Sequence, residues 1–494
     1  MSHELSIEKN YIFNLLNTVS TVLFPLLAFP YAARIMGAEA IGRVNFLSSI
    51  TSYISILTCL GIPMYAIREI AKVRNDEHDR NRTTKEILIL HTLLTLVGYG
   101  IVGVTAVSVT KIHADISLFL LLSISIFFNA IGCEWFYQGI EDFKYITIRG
   151  LIVKTISLIL LFIAVKTPND IYWYAGYSVI GSVGNNIFNF IRLHKYIKAP
   201  HIRFKDMRPF RHLVPILHIF VLNLIISLYI NLNTVMLGFM QNAESVGLFT
   251  GASKITSIAL SFVSALGTVM LPHLSNLLSS GRKERFDELA QSAFSFTCAF
   301  AIPVSAGLII CAEYIIPVFC GQTYMAAIPT LRILAPVVLL VGVSNVIGIQ
   351  ILYPQGRENT VILCTAIGAA INIALNLLLI PRYSYNGAAV STIVTEFAIT
   401  LCMMTIGRKY IPVKRFRKEY ITYLLVSAVM VAAVAPVIRF GFTPYIALTI
   451  IVPVGVIIYA AGLAFVKDPV FCQIISTIRH LQRDDKGKNT GMLP

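Results

Sequence analysis

The length of the apolar runs is the feature that most constrains this chain. Fourteen stretches of about 20 residues, nearly free of charge, follow one another between Tyr11 and Val466. A hydrocarbon core about 30 Å thick takes about 20 helical residues to cross, so each stretch is long enough to span a bilayer. Apolar residues make up 56% of 494 positions and charged residues 13%, which excludes a water-facing globular surface. The pattern predicts an all-α polytopic membrane protein with about 14 transmembrane helices.

The charges between the runs predict the topology. With the N-terminus placed inside, 31 of the 40 lysine and arginine residues fall in inner segments, six in outer loops and three within spans. Lysine and arginine gather in cytoplasmic loops, so this bias predicts that both termini are cytoplasmic. The net charge of +15 therefore indicates membrane topology, and we expect no nucleic acid partner.

The chain lacks the short motifs of several enzyme classes. Its eight cysteines form no C-x-x-C pair, and there is no phosphate-binding loop, H-E-x-x-H or G-x-S-x-G. We therefore expect no metal, no cofactor and no enzymatic activity. A membrane glycosyltransferase or polymerase stays open as an alternative, although the predicted outer loops are short for one.

An internal repeat divides the chain. Residues 38–52 and 243–257 share seven of fifteen identities, and residues 129–141 resemble 345–358 in the order of their Asn, Gly, Gln and Glu residues. Six spans separate the copies, an even number, so the two copies have the same orientation and form a parallel repeat.

The repeat predicts the domain organisation. We expect two parallel six-helix bundles around a central cavity, followed by two extra C-terminal helices. The predicted boundaries are residues 1–211 and 212–411 for the bundles, and 412–494 for the added helix pair with its cytoplasmic tail.

Lys254 is the most informative charge inside a span. It lies ten residues after Glu244, about 15 Å along a helix, which places it near the midplane. An ionisable group there costs about 2.5–3.5 kcal/mol, so it needs a water-filled cavity, a partner or a function. Thr250, Ser257 and Ser261 share its helical face. We interpret this face as lining a cavity, with packing of hydroxyl side chains between helices as the alternative.

Other polar residues lie within the spans. Asn189 belongs to a polar stripe in the sixth span, and Asn223 and Asn231 to one in the seventh. Lys154 and Arg332 lie nearer helix ends, where a long side chain either faces a cavity or reaches the interface. We predict that all five contribute to substrate binding, with interhelical packing as the alternative for the asparagines.

The acidic residues are candidates for coupling or gating. Glu396 lies mid-span with no lysine or arginine nearby in sequence, so it is protonated, paired across helices or part of a proton relay. Glu134 and Glu141 lie close to the predicted cytoplasmic face, and Arg34 flanks the first outer loop. The charges near the centre are mainly cationic, which suits an anionic passenger such as a phosphate or pyrophosphate.

Five segments resemble the polysaccharide flippases of the Wzx type, within the multidrug/oligosaccharidyl-lipid/polysaccharide exporter superfamily. They cover the first twelve spans. The segments are Pro30–Arg34 with Gly37, Glu134–Glu141 continuing to Arg149 and Lys154, Gly247–Ile255, Leu331–Glu358, and Asn372–Glu396.

The resemblance implies a flippase that moves undecaprenyl-pyrophosphate-linked oligosaccharide units to the outer face of a bacterial plasma membrane by alternating access. The glycan would be O-antigen, capsule or exopolysaccharide, and the two added helices would be grooved for the lipid tail. Lys254 would hold the pyrophosphate, supported by Arg34, Lys154 and Arg332. Expected partners are membrane lipid, a polysaccharide polymerase and a chain-length regulator. The main alternative is a cation-coupled multidrug exporter of the same superfamily, for which twelve spans and a more acidic cavity are expected.

Overall fold

The structure, a computed structural model, describes residues 2–197, 207–412 and 418–472. These residues form helices joined by short turns, with no strand among them, so the predicted all-α class is confirmed. The helices are α1 (Ser2–Cys59), α2 (Ile62–Lys72), α3 (Glu77–Ser108), α4 (Thr110–His113), α5 (Ile116–Ile131), α6 (Glu134–Gly139), α7 (Phe143–Ala164), α8 (Ile171–Val183), α9 (Asn185–Leu193), α10 (Leu213–Met240), α11 (Ala243–Ser279), α12 (Lys283–Phe319), α13 (Ile328–Leu334), α14 (Val337–Asn345), α15 (Glu358–Ile406), α16 (Lys418–Arg439) and α17 (Pro444–Phe465), with 3-10 turns at Pro209–His212 and Gln322–Ala327 and a π-helix at Val346–Leu352.

Two helices each contain two of the predicted spans. Helix α1 is interrupted at Gly37, where φ is 75°, and α15 at Ser384, where φ is 50°. Glycine adopts a positive φ at no steric cost, whereas a serine in this region is strained. Each break lies where a turn between two predicted spans is needed, and two crossings in each long helix stay a prediction.

The number of crossings is only partly tested. Among the described residues, nine helices are long and apolar enough to cross a membrane, or ten if the bent pair at residues 322–352 is one span. The count includes α1 and α15 once each, and it leaves out α8 and α9, which share one predicted span. The exact figure of 14 is therefore not confirmed and stays a prediction.

The described chain divides into two compact units. The first comprises residues 1–251 and 376–388, and the second residues 252–375 and 389–494, within the described ranges. The first unit therefore contains α1 to α10, the beginning of α11 and the turn of α15. The predicted boundaries at residues 211 and 411 stay a prediction.

The repeat appears as a similar irregularity within each unit. In the first unit α5 gives way to α6 just after Asn129, whose amide donates to Ser55 Oγ (3.1 Å). In the second unit the π-helix follows Asn345, whose amide lies 3.5 Å from Ser264 Oγ. Helix irregularities of this kind are frequent at functional sites. The two repeat copies thus have the same amide-to-hydroxyl contact and a departure from regular α-helix at corresponding places.

The added helix pair packs on α12 within the second unit. Tyr459 of α17 donates its hydroxyl hydrogen to the carbonyl oxygen of Ala299 (2.6 Å), and Gln291 donates to the hydroxyl of Tyr420 on α16 (2.7 Å). Ile451 joins a buried apolar cluster between these helices. Because polar contacts fix both helices on α12, the pair is an integral part of this unit.

Candidate functional site

A buried arginine organises the polar cluster of the first unit. Arg149 on α7 is 5% exposed, and its guanidinium donates to Glu134 Oε2 (2.8 Å) and to Asn189 Oδ1. The ring of Tyr145 lies 5.2 Å from the guanidinium carbon, within cation–π range. Charge-assisted bonds of this kind are the stronger class of hydrogen bond. The structure therefore brings together two predicted residues, Glu134 and Asn189, through Arg149, which the sequence analysis named only within a segment that resembles the family.

Lys154 lies near this cluster on the same helix. Its half-buried ammonium donates to Ser20 Oγ of α1 (2.7 Å), and Glu134 is close enough to interact with it electrostatically. Lys154 follows Arg149 by five residues, about 7.5 Å along the helix axis. Two cations and one carboxylate leave this region positive. It can therefore attract an anionic group, and the role of Lys154 in substrate binding stays a prediction.

Lys254 has a different environment in the second unit. Its side chain is exposed, although Ile255 and Thr256 beside it are buried, and Ser257 on the same face is exposed. Lys254 makes no ion pair or hydrogen bond with any described residue. An ammonium with three unused donors is available to bind phosphate oxygens. This supports the predicted face, and the binding role itself stays a prediction.

Two predicted residues already have partners of opposite charge. Arg332 pairs with Glu313 (2.7 Å) at the surface of the second unit, and Glu141 pairs with Arg74 (2.7 Å) at the surface of the first. Exposed pairs of this kind typically contribute less than about 1 kcal/mol, so they can exchange for other partners. Arg34 is exposed on α1. The proposed roles of Arg332, Glu141 and Arg34 stay predictions.

The remaining predicted residues lie on two helices, α10 and α15. Glu396 is 8% exposed within α15, and its backbone oxygen accepts the hydroxyl hydrogen of Thr400 (2.8 Å). Asn231 on α10 is half-buried, and the side chain of Asn223 lies outside the described part of the chain. Their assignment to coupling or substrate binding stays a prediction.

Buried amides of α10 and α15 were missed by the sequence analysis. Within the first unit, Asn376 donates to Asn233 Oδ1 (2.7 Å); within the second, the amide of Asn372 lies 3.3 Å from the hydroxyls of Ser391 and Thr395. All five side chains are less than 9% exposed. The available signal was the spacing of Asn372 and Asn376. They lie four residues apart on α15, which places them on the same face of the helix.

An apolar groove runs along the added helix pair in the second unit. It has a volume of about 500 Å³ and lies between α12, α16 and α17. Its walls are almost wholly apolar, and they include Phe300, Cys311, Met430, Ile451 and Leu463. Two glycines, Gly307 and Gly455, line it as well. A groove of this composition fits a hydrocarbon chain and offers few partners to a polar ligand.

Together, the crossing helices, the buried cationic cluster and the apolar groove define a class. The protein is a multi-pass membrane protein.

Comparison with known proteins identifies the family. The chain belongs to the family described as polysaccharide biosynthesis protein, whose model matches residues 7–278. A second model, described as lipid II flippase MurJ, matches residues 151–457. The resemblance found in the sequence is therefore confirmed.

Similar curated proteins come from several bacteria. The chain is 25% identical to a Shigella dysenteriae protein named "Putative O-antigen transporter", over 80% of this chain and 99% of that one. It is 26% identical to an Escherichia coli K12 protein of the same name, over 82% and 98%. It is also 23% identical to the capsular polysaccharide biosynthesis protein CapF of Staphylococcus aureus, over 79% and 96%.

Solved structures share the fold. A structure of the lipid II flippase MurJ in an inward closed conformation superposes with a TM-score of 0.73, at 16% identity, over 93% of this chain and 99% of that one. An inward-facing multidrug resistance transporter of the MATE family gives a TM-score of 0.62 at 15% identity, over 79% and 94%. At these identities the likeness concerns the fold alone.

Proposed function

We propose that the protein is a flippase for undecaprenyl-pyrophosphate-linked oligosaccharide repeat units. It moves them by alternating access from the cytoplasmic to the outer face of the bacterial plasma membrane, where O-antigen, capsule or exopolysaccharide is assembled. Membership of a polysaccharide biosynthesis family supports this proposal, as do relatives named as transporters of O-antigen. The flippase moves an intact molecule and needs no bond-breaking residue.

The apolar groove is the observation on which the proposal depends. A free drug is small enough for a single pocket, whereas a long polyisoprenyl chain must stay in an apolar environment while its head group crosses. Two of the three helices that form the groove, α16 and α17, lie outside the internal repeat, and the third is α12. The tail would pass from bilayer hydrocarbon into a groove of similar polarity, so van der Waals packing along its length would hold it there.

The cations supply the complementary half of the recognition. Lys254 is exposed without a partner among the described residues, and Lys154 is held by a neutral hydroxyl. Both can therefore exchange their present surroundings for pyrophosphate oxygens without leaving a carboxylate unpaired. In this proposal Lys254 holds the pyrophosphate, Lys154 and Arg34 assist, Arg332 joins after leaving Glu313, and Asn189, Asn223 and Asn231 contribute polar contacts.

The proposal also covers location and partners. Both termini are placed in the cytoplasm because 31 of 40 cationic side chains then lie inside. A polysaccharide polymerase and a chain-length regulator would act on the exported unit at the outer face. Membrane lipid is the remaining partner.

Gly307→Phe tests the proposal by filling the groove. Gly307 lines the groove, and nothing lies within 4 Å of the position where its Cβ would be. The phenyl ring should therefore occupy the space of the lipid tail without displacing neighbours. In cells that depend on this protein, we expect surface glycan to fall at least tenfold while lipid-linked units accumulate, as measured by mass spectrometry of extracted lipids.

Gly100→Phe is the matched control, because Gly100 on α3 also has open space around its Cβ position and is not among the residues that line the groove. Normal surface glycan in the Gly307→Phe cells would remove the proposed role of the groove. Drug efflux that stops while glycan export continues would support the multidrug exporter. Elongation of a lipid acceptor from a nucleotide sugar by the purified protein would support the glycosyltransferase.

A further inference from the structure

The loop between α3 and α5 forms a short strap, residues 109–115, built around the one-turn helix α4. Arg43 of α1 fixes its far end by donating to both carboxylate oxygens of Asp115, with Nε 3.0 Å from Oδ2. His113 Nδ1 lies 3.2 Å from the carbonyl oxygen of Ala106 at the end of α3. The strap is therefore attached at both ends to helices of the first repeat copy.

Lys111 of the strap contacts the end of α10. Its ammonium nitrogen lies 3.1 Å from the carbonyl oxygen of Gly238, 3.0 Å from that of Phe239 and 2.7 Å from that of Gln241. The last carbonyl groups of a helix have no partner within it and carry partial negative charge. One ammonium thus uses all three of its donors on the end of α10, which by sequence belongs to the second repeat copy.

The backbones are in close contact beside this interaction. A Cβ at Gly238 would overlap the ring of Phe46 on α1, and the rings of Phe46 and Phe239 meet edge to face at 5.2 Å. The beginning of α11 is also in close contact with α1, because a Cβ at Gly247 would overlap the carbonyl oxygen of Ala38. All these residues belong to the first unit. In the predicted topology they lie at the outer face, and nothing the size of a substrate fits between them.

We propose that Lys111 is a releasable latch that holds the outer ends of the two repeat copies together. The strap is held on its own copy by a charged pair, whereas the latch donates to neutral carbonyl oxygens. Water can replace such bonds at a small net cost, so this contact is the one that opens repeatedly. The direction of substrate exit through the opening rests on the proposed function, but the latch itself does not.

The test measures access to the closed contact. Ala38→Cys places a thiol at a position that is 5% exposed, and intact spheroplasts are treated with a membrane-impermeant maleimide. The parent with its eight native cysteines gives the background labelling. Adding Lys111→Met, which keeps an unbranched side chain but removes the donors, should raise the labelling rate about tenfold, equivalent to about 1.4 kcal/mol. Asp115→Asn should raise it as well, because it loosens the anchor of the strap.

Lys166→Met is the matched control, since Lys166 is an exposed lysine of another predicted outer loop. Lys111→Arg keeps the donors, so in the Ala38→Cys background it should be labelled at the same rate as Ala38→Cys alone. The proposal therefore stays testable if the Met variant is not recovered. An unchanged rate in Lys111→Met, an equal rise in Lys166→Met, or fast labelling of Lys111→Arg would overturn the latch. Labelling needs no substrate, so a working latch in a protein that exports no glycan would overturn only the proposed function.

Discussion

Gly42 and Gly247 occupy equivalent positions of the internal repeat and pack against each other's copy in the first unit. A Cβ at Gly42 would overlap the carbonyl oxygen of Ala243, and a Cβ at Gly247 would overlap that of Ala38. Ala38 and Ala243 are themselves equivalent, each four residues before its glycine. The contact is therefore the same interaction made twice, related by the approximate symmetry of the repeat. Small residues at this spacing let helix backbones approach closely in membranes.

Gly42→Ala and Gly247→Ala should each separate the two helices. A methyl group has no space at either position because its nearest neighbours are backbone atoms, which cannot rotate away. We expect a destabilisation of about 1–3 kcal/mol in detergent and a clear loss of surface glycan. Thermal unfolding of the purified protein and glycan staining of cells measure the two effects.

Gly103→Ala serves as the control, because nothing lies within 4 Å of a Cβ at Gly103. That substitution should leave unfolding unchanged or slightly raise the midpoint, since alanine favours helix over glycine. If Gly42→Ala unfolds at the same temperature as Gly103→Ala, the close contact has no energetic importance.

Lys254→Ala should block export without unfolding the protein. The side chain is exposed and makes no hydrogen bond or ion pair with a described residue, so its removal breaks no polar contact among them. We expect surface glycan to fall at least tenfold and lipid-linked units to accumulate on the inner side. Lys254→Arg keeps the positive charge and should retain part of the export. Lys166→Ala removes another exposed lysine and should behave as wild type, and normal glycan in the Lys254→Ala cells would disprove the proposed contact with pyrophosphate.

The buried Arg149 and its partly exposed partner Glu134 should be energetically coupled. Removing Glu134 leaves the guanidinium 5% exposed with only the amide of Asn189 as a hydrogen-bond acceptor. A double-mutant cycle of Glu134→Gln and Arg149→Gln should give an interaction free energy of about 1–3 kcal/mol. Unfolding of the four proteins in one detergent measures it. The same cycle on the exposed pair of Arg74 and Glu141 should give less than about 1 kcal/mol, and equal values for the two cycles would contradict a special role for burial.

The sequence was sufficient for the features that depend on local or periodic signals. Run length and charge spacing predicted a helical membrane protein, and the repeat of residues 38–52 in residues 243–257 aligns Gly42 with Gly247. The lipid groove was an expectation of the family resemblance. The exposure of Lys254 also agrees with the polar face predicted for its helix.

Other features depend on contacts between distant residues. Arg149 lies close to the predicted inner loop, and only its bonds to Glu134 and Asn189 show that it is buried. A charge count cannot distinguish a loop arginine from one folded under neighbouring helices. The hydrogen bonds from Lys111 to three carbonyl oxygens could not be predicted from the sequence either. Every residue has a backbone carbonyl group, so residue types give no sign of which ones accept.

Glu396→Gln tests the proposed coupling role. Glu396 is 8% exposed in the middle of α15. An ionised carboxylate is costly inside a membrane, and buried carboxylates there often belong to proton relays. If it relays protons, the amide variant should lose the pH dependence of glycan export while still folding. Export should be measured in cells over a range of external pH. An unchanged pH profile would count against a relay at this position.

His212 should make the stability of the protein depend on pH. It lies just before α10, with Nδ1 2.7 Å from the hydroxyl of Tyr65 and Nε2 3.0 Å from the carboxylate of the buried Glu86. A neutral ring with its hydrogen on Nε2 donates to Glu86 and accepts from Tyr65. Burial lowers the pKa of His212 below its ordinary value of 6.5, and the hydrogen bond to Glu86 opposes that shift.

The sign of this dependence follows from the lowered pKa. The unfolded chain takes up a proton near pH 6.5 and the folded protein only at lower pH, so His212 makes folding less favourable as the pH falls below 6.5. His212→Gln keeps a donor and an acceptor but does not titrate. Between pH 7.5 and 5.5 its unfolding midpoint should therefore fall less than that of wild type. His78→Gln changes an exposed histidine, and its unfolding midpoint should fall over this pH range as much as that of wild type. If the midpoints of the two variants depend on pH in the same way, His212 is not the residue responsible.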